Sequence, residues 1–463
     1  MRQNRGKAWA RVVSSILFIV LSCLFMSSSF PSADGAKMSI DASLFYKPAI
    51  ETGVVTNWHS ALFLLECRGL KLLADSISET PLDGFVVQYI VWWFFYLLML
   101  GSMVCINCFL QQKDPLWVWG SLVFSPLCSF FATALGNNGY YGLDFYFASL
   151  LLTGIALMLL YRNFEHRYAR FIVALILLVV VFHMASYRRN FIVVAPFFVW
   201  WMLSAVFNIQ RLSVRWRMML CFLGVIMVYV IPNKLLETVL DVRVEYPMAP
   251  MMESNIRIAA ILRGEQNEWV HSGYIEENRP DVDDVICASW VSKRKDVSWD
   301  SFVDEYKRHW VNYPASMLSS CIIQRIQFYC GGQNYSWLRS IVQNMYPSVK
   351  KNEKAWKIRA PRPSPHPRVQ LLLLAFPLMV LLLLRYGGKK GYVNQDELNL
   401  IRITCICAIL YASSYLIVTP SVHTRYLAPS CMLSLYVFLI VCVCVVARFK
   451  KKCRLIKDDT LVK

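Results

Sequence analysis

The chain has 463 residues, of which 57% are apolar, 14% aromatic and only 17% charged. An average soluble domain carries roughly 25% charged residues. Together with a mean hydropathy of +0.43, this excludes a disordered chain, a coiled coil, a fibrous repeat and almost any soluble enzyme of this length, and it describes a polytopic membrane protein. The formal charge of +18, from 48 Lys and Arg against 30 Asp and Glu, is broken up by apolar runs rather than gathered in one domain. It reads as basic residues flanking membrane spans, not as a nucleic-acid surface.

In chain order, ten apolar runs are predicted to span the bilayer: 12–33, 87–110, 116–135, 144–160, 171–186, 191–207, 217–232, 369–385, 400–419 and 426–446. The first has a basic start and only a loose cleavage site near Ala36, so it reads as an uncleaved anchor. With the N-terminus inside, the cytoplasmic segments hold Arg2, Arg5, Lys7 and Arg11, then Lys113, then Arg162, Arg167 and Arg170, then Arg211, Arg215 and Arg217, then Arg385, Lys389 and Lys390, and finally the basic tail from Arg448 to Arg454. Each is basic, as the insertion preference requires, and both termini fall inside.

Two long segments then lie outside. The first, 34–86, contains Trp58–Leu73, too short and too charged to span but apolar at helical spacing, which predicts a helix in the interface plane. The second, 233–368, is expected to be mainly helical, with helices from Trp299 to Trp310 and from Ala315 to Phe328, and it returns through the proline-rich stretch 360–368. The chain therefore divides into an N-terminal membrane module (1–232), an extracytoplasmic segment (233–368) and a C-terminal membrane module with a basic tail (369–463). Most of the 15 cysteines sit in apolar runs as small hydrophobes; Cys67, Cys287, Cys321 and Cys330 are the ones placed outside, where a disulfide is chemically permitted.

Charges in unusual places carry the functional signal. Arg188 and Arg189 occupy a very short outside turn between the fifth and sixth spans, and Arg425 another between the ninth and tenth. Cations there oppose the insertion preference, so something must compensate. An anionic ligand at the outer edge would do so, since guanidinium forks suit phosphate oxygens. Snorkelling to head groups, or pairing with Asp41, Glu51 or Asp144, would also serve. Asp144 opens the fourth span, where it is either a helix-start charge or a catalytic carboxylate. The acidic group Asp281, Asp283 and Asp284 lacks the glycine and terminal glutamate of a calcium loop. No metal site, nucleotide loop, HExxH motif or nucleophile elbow is present in the sequence, and no cofactor is implied.

Three stretches carry a resemblance. Ile40 to Ala49 has Asp41, Phe45 and Ala49 in the register of an acid, an aromatic four residues on and a small residue eight on, with Ala42 where a glutamate is usual. Thr56-Asn57-Trp58-His59-Ser60 is similar to a "DWHPP" stretch, with Asn57 and Ser60 as departures. His423-Thr424-Arg425-Tyr426-Leu427-Ala428-Pro429 is similar to an outer-edge "RY..P" motif. In order and layout these resemble the GT-C membrane glycosyltransferases that use polyprenyl-phosphate sugars, a group that includes protein O-mannosyltransferases, aminoarabinose transferases and bacterial O-antigen-modifying enzymes.

The resemblance implies a GT-C-like all-α membrane protein. It also implies a polyprenyl-phosphate-linked donor and a surface polysaccharide or lipid-linked glycan as acceptor, O-antigen-like and ultimately part of lipopolysaccharide, with the site facing outside at a bacterial inner membrane. Asp41 is then the expected general base, with Asp144 the second candidate; Arg188, Arg189, Arg425 and Tyr426 are expected on the donor phosphate; Asn57, Trp58, His59 and His423 are expected nearby. The competing classes are a transporter or flippase of a lipid-linked saccharide and a non-catalytic scaffold of glycan assembly. Convergence of the acids and arginines at one outer face favours the transferase.

Overall fold

Long apolar runs fold as helices in hydrocarbon because every backbone N–H and C=O then finds its partner within the segment. The computed structural model describes residues 12–13, 16–17, 19–21, 23–24, 46–55, 60–111, 143–206, 212–239, 249–265, 299–329, 336–351, 367–387, 395–417, 427–438, 440–442 and 445. Among the described residues the elements are all helical, with no strand. In chain order they are α1 (Lys47–Thr52), α2 (Ala61–Ile77), α3 (Gly84–Gln111), α4 (Leu143–Asn163), α5 (Arg167–Tyr187), a 3-10 turn (Arg189–Val193), α6 (Ala195–Val206) and α7 (Val214–Val239). Then follow α8 (Ala249–Arg263), α9 (Trp299–Asn312), α10 (Pro314–Tyr329), α11 (Ser336–Met345), a single turn at Ser348–Lys351, α12 (Pro367–Gly387), α13 (Gln395–Ile417) and α14 (Ala428–Cys442).

Six of these are long and apolar enough to cross a bilayer: Gly84–Ile106, Leu143–Asn163, Arg167–Tyr187, Val214–Val239, Arg368–Arg385 and Leu398–Leu416. They correspond to six of the ten expected spans. The expected span 116–135 lies outside the described residues, and 12–33 is described only in part. The run 191–207 is described as the 3-10 turn followed by α6, whose twelve described residues reach about 18 Å; residues 207–211 beyond it lie outside the described residues. The run 217–232 is underestimated, since α7 extends from Val214 to Val239 through a π-helical stretch at Ile226–Val230. Residues 233–239, expected outside the membrane, therefore continue this helix. Of the run 426–446, α14 covers Ala428–Cys442, and beyond it only Leu427 and Val445 are among the described residues.

α4 is the central helix, with 94% of its most apolar window buried. It runs parallel to α3: Ser102 and Thr153 hydroxyls are 2.9 Å apart, the Phe95 and Tyr146 rings 4.6 Å, and Trp92 and Phe145 5.2 Å. α5 returns antiparallel through the short link at 164–166. Gly154 permits the close approach of α4 to its neighbours. A Cβ there would lie 2.8 Å from Phe198 Cε1 and 3.4 Å from Met184 Cε. Gly154→Ala should therefore lower the thermal midpoint in detergent. Overpacking costs about 1–3 kcal/mol, whereas the gain in helix propensity is about 1 kcal/mol. An unchanged or higher midpoint would mean that Phe198 swings aside.

The outward faces of α5, α7 and α12 are apolar, with Phe171, Leu175, Val179, Met218, Phe222, Met227, Leu378 and Leu383 all exposed. Such surfaces are compatible with a lipid solvent. Basic side chains close one end of the bundle: Arg162 ends α4, Arg167 and Arg170 begin α5, Arg215 and Arg217 begin α7, and Arg385 lies at the end of α12. The opposite end gathers the N-terminal ends of α3, α4, α6 and α12 with the C-terminal ends of α5, α7 and α13.

A helix is present where the sequence predicts one at Trp58–Leu73, running from Ala61 to Ile77, and this α2 lies against the second end. Ser60 caps it by accepting from the Phe63 N–H at 3.2 Å. The loop beyond it is tied by Asp75, which accepts from the Leu82 N–H at 2.7 Å. The Lys71 ammonium beside it, aided by that N–H, holds the Asp75 carboxyl below its usual range.

The expected helices of the 233–368 segment are present as α9 and α10. With α8 and α11 they form a helical body in which α8 is buried between two apolar clusters. Ile258, Ile261 and Leu262 pack with Ile323, Leu338 and Val342 on one side, and Met251, Ile256 and Ala259 pack with Phe302 and Met317 on the other. Glu253 sits in this helix at 4% exposure, and its Oε2 has no hydrogen-bond partner among the described residues. Burial pushes its carboxyl up to about 7 from 4.5, against the pull of Arg257. The fold thus prefers the neutral acid. Its contribution is fully present below the unfolded value of 4.5 and is lost as pH rises through 7. The loss amounts to about 3 kcal/mol. Melting curves from pH 4.5 to 8 should show this decline, and Glu253→Gln should flatten it; equal slopes in the two proteins would exclude Glu253 as its source.

The body is tied to the bundle through α10 and α13. Tyr329 Oη donates to the Ala412 carbonyl at 2.6 Å and Arg325 Nε to the Leu416 carbonyl at 3.2 Å. The Phe328 and Tyr415 rings lie 5.3 Å apart.

Candidate functional site

Three polar clusters meet at the end of the bundle opposite the basic one. In the first, Asp144 at the start of α4 accepts an ion-paired contact from Arg188 Nη2, just past the end of α5. The Asp144 side chain is 5% exposed and that of Arg188 20%. Tyr411 and Tyr415 of α13 stand behind them with hydroxyls 3.0 Å apart, and Tyr415 lies within electrostatic reach of both Asp144 and Arg188. Phe147 stacks on Tyr411 at 4.9 Å, locking α4 to α13 next to the pair.

In the second cluster, Glu66 of α2 lies 2.8 Å from His183 Nε2 and accepts a hydrogen bond from Tyr187 Oη, both on α5. His183 Nδ1 is 2.8 Å from the Val179 carbonyl oxygen. His183 and Tyr187 are four residues apart, so α5 presents them on one face to α2.

In the third, Arg189 and Lys234 both approach Glu237, at 3.7 and 3.1 Å. Tyr229 Oη donates to the Arg189 carbonyl at 2.7 Å, and Asn233 Nδ2 to the Ala185 carbonyl at 3.2 Å, fastening the end of α7 to the turn after α5.

An aromatic wall joins the first two clusters. The Phe63 ring lies 5.2 Å from Tyr146, 5.6 Å from Tyr187 and 5.3 Å from Tyr46. Phe95 meets both Tyr146 and Tyr187.

Of the residues singled out from sequence, the structure thus brings Asp144, Arg188 and Arg189 to one end and joins the first two directly. The positive charge of the turn after α5 is compensated within the protein, by Asp144 and by Glu237. Asp41, Asn57, Trp58, His59, His423, Arg425 and Tyr426 lie outside the described residues, as do Cys287 and Cys330. Cys67 and Cys321 are free thiols. The sequence reading passed over Glu66, His183 and Tyr187. The available signal was His183 itself, an ionisable residue inside an apolar span, which is expensive there and seldom idle.

No protein-family model, curated protein or solved structure matches the chain. The arrangement has to be read from its own chemistry: carboxylates and guanidinium groups collected at one end of an apolar bundle, with a helical body fastened above it.

Proposed function

We propose that the protein is a membrane glycosyltransferase that moves a sugar from a polyprenyl-phosphate donor to a surface polysaccharide or lipid-linked glycan, O-antigen-like, at the extracytoplasmic face of a bacterial inner membrane. The observation that supports this most is the gathering of Asp144, Arg188, Arg189, Glu66 and His183 at one end of the bundle, with Arg162, Arg167, Arg170, Arg215, Arg217 and Arg385 at the other. By the positive-inside preference the arginine-lined end of Arg162, Arg167, Arg170, Arg215, Arg217 and Arg385 is cytoplasmic and the end carrying Asp144 and α2 faces out.

Transport finds less support. Among the described residues, the polar groups buried along the spans are mainly hydroxyls and amides. Ser149, Thr153, Thr404 and Ser434 bond to carbonyls of their own helices, and these helices, among the described residues, show no charged path between the two ends.

In the proposed reaction the acceptor oxygen bonds to the sugar C1 as the C1–phosphate oxygen bond breaks. The acceptor proton passes to a carboxylate, and the polyprenyl phosphate leaves with the electron pair. Arg189 and Arg425 are the proposed phosphate ligands, with Arg188 adjoining; Asp41 is the proposed base. Asp144 is the weaker candidate for that role, since it is buried and engaged by Arg188.

The primary test is mass spectrometry of cell-surface glycans with and without the gene, where identical glycans would overturn the reading. For the donor site, a polyprenyl-phosphate hexose is titrated in detergent against wild type, Arg425→Lys and Arg425→Ala. A hydrogen bond to a charged group contributes about 1.5–3 kcal/mol, so both variants should bind roughly ten- to hundredfold more weakly, alanine the worse. Equal affinities would remove Arg425 from the phosphate site. Asp41→Asn should abolish turnover while leaving donor affinity nearly unchanged.

A further inference from the structure

Two contacts set how α2 lies. Phe63 packs on Tyr146 and Tyr187, near the start of α4 and at the end of α5. Asp75, about 18 Å further along the helix, accepts from the Leu82 N–H, just before α3 begins at Gly84. Both points are span ends on the same side of the bundle. The helix therefore runs across that end, along the membrane surface.

One of its side chains reaches deeper. α5 has 21 residues, about 32 Å of helix, against a hydrocarbon core of about 30 Å. Its last residue, Tyr187, falls at the hydrocarbon boundary, and His183 lies one turn, about 6 Å, inside it. Glu66 Oε1 is 2.8 Å from His183 Nε2, and Tyr187 Oη donates to the other carboxylate oxygen. These two partners answer a charge that hydrocarbon would otherwise exclude. A further turn inward, Val179 is 50% exposed on the lipid-facing side of α5.

The depth of Glu66 fixes which way each side of α2 faces. Phe63, Leu64 and Cys67 face the bundle. Arg68, Lys71 and Asp75 lie on the side opposite Glu66, where Arg68 donates to the Ile50 and Glu51 carbonyls of α1 and Lys71 pairs with Asp75. Leu62, Leu73 and Ile77 share the side of Glu66, at spacings of four, seven and eleven residues from it. Leu72, Leu73 and Ile77 are exposed, Ile77 at 81%.

We propose that α2 is sunk into the leaflet at this end of the bundle, with Leu62, Leu73 and Ile77 among its acyl chains. Lipid fits this face better than a second copy or a soluble partner. The face carries the residue that reaches His183 inside the boundary, and beyond His183 it meets the exposed apolar side of α5 at Val179.

The test uses no donor or acceptor, so it stands or falls separately from the transferase reading. A fluorescent amino acid replaces Leu73, Ile77, Leu175 or Asp304, one at a time, in the full-length protein in phosphatidylcholine nanodiscs. Leu175 is exposed on the lipid-facing side of α5, and Asp304 is exposed on α9 of the helical body. Each label is quenched in turn by phosphatidylcholine brominated on its acyl chains and by aqueous iodide. Labels at 73 and 77 should be quenched by the brominated lipid as the label at 175 is, and should be several-fold less accessible to iodide than the label at 304. Leu73 and Ile77 are both exposed, so neither label disturbs packing, and each position decides independently. Iodide access equal to that at 304 overturns the proposal. So does protection from both quenchers, which would place a second copy or another protein over this face.

Discussion

Arg188→Leu should destabilise the protein by about 3–5 kcal/mol, because it leaves the carboxylate of Asp144, 4% exposed, without its guanidinium. Asp144→Leu combined with Arg188→Leu should recover most of that loss, since an apolar pair avoids the desolvation of two ions. Unfolding in mixed micelles, followed for wild type, the single and the double variant, gives the comparison directly. A double variant as unstable as the single would show that the pair is not what holds α4 to the end of α5. The same series separates the structural from the functional role of the turn. Arg188 is 20% exposed and engaged by Asp144, whereas the Arg189 side chain is 57% exposed with Glu237 at 3.7 Å. Under the proposed function the more exposed guanidinium meets the donor phosphate, so Arg189→Ala should weaken donor binding more than the folded double variant does.

The parts of this fold legible in the sequence are those set by local pattern. Trp58–Leu73 reads as an interfacial helix because its apolar residues recur at helical spacing, and α2 forms there with Ser60 as its cap. α9 and α10 follow the same logic. The start of the expected span 191–207 is displaced for a reason that hydropathy does not register. Arg189 is tied through Glu237 and Tyr229, so the chain leaves α5 as a 3-10 turn and α6 begins only at Ala195. The end of α7 is underestimated for the converse reason. Lys234 and Glu237 lower the hydropathy of its last turns without breaking the helix, and Asn233 secures those turns to Ala185. In the site, Asp144 and the arginines stand out because cations in very short outside turns oppose the insertion preference and an acid opens the apolar run at 144. The pairing of Glu66 with His183 joins positions 117 residues apart, and local periodicity carries no information about such a contact.

Phe63→Ala should cost about 3–5 kcal/mol, the usual price of deleting a buried aromatic ring, with the damage concentrated in α2. Phe63 is fully buried and touches Tyr46, Tyr146 and Tyr187, which belong to three different parts of the chain. Its loss removes the largest buried side chain of α2, leaving Leu64 and Cys67 buried with Ala61, Leu62, Leu65 and Leu70 half-buried beside them. Hydrogen exchange should therefore show α2 unprotected while α4 is unaffected, and Phe63→Leu should retain most of the wild-type protection. The apolar anchor is larger than the polar one, since a hydrogen bond to a charged group contributes only about 1.5–3 kcal/mol. In Phe63→Ala protection of α2 should therefore fall although the contacts of Glu66 with His183 and Tyr187 are untouched. Wild-type protection of α2 in that variant would show that its polar contacts, those of Arg68 included, hold the helix, and that Phe63 only fills space beneath it.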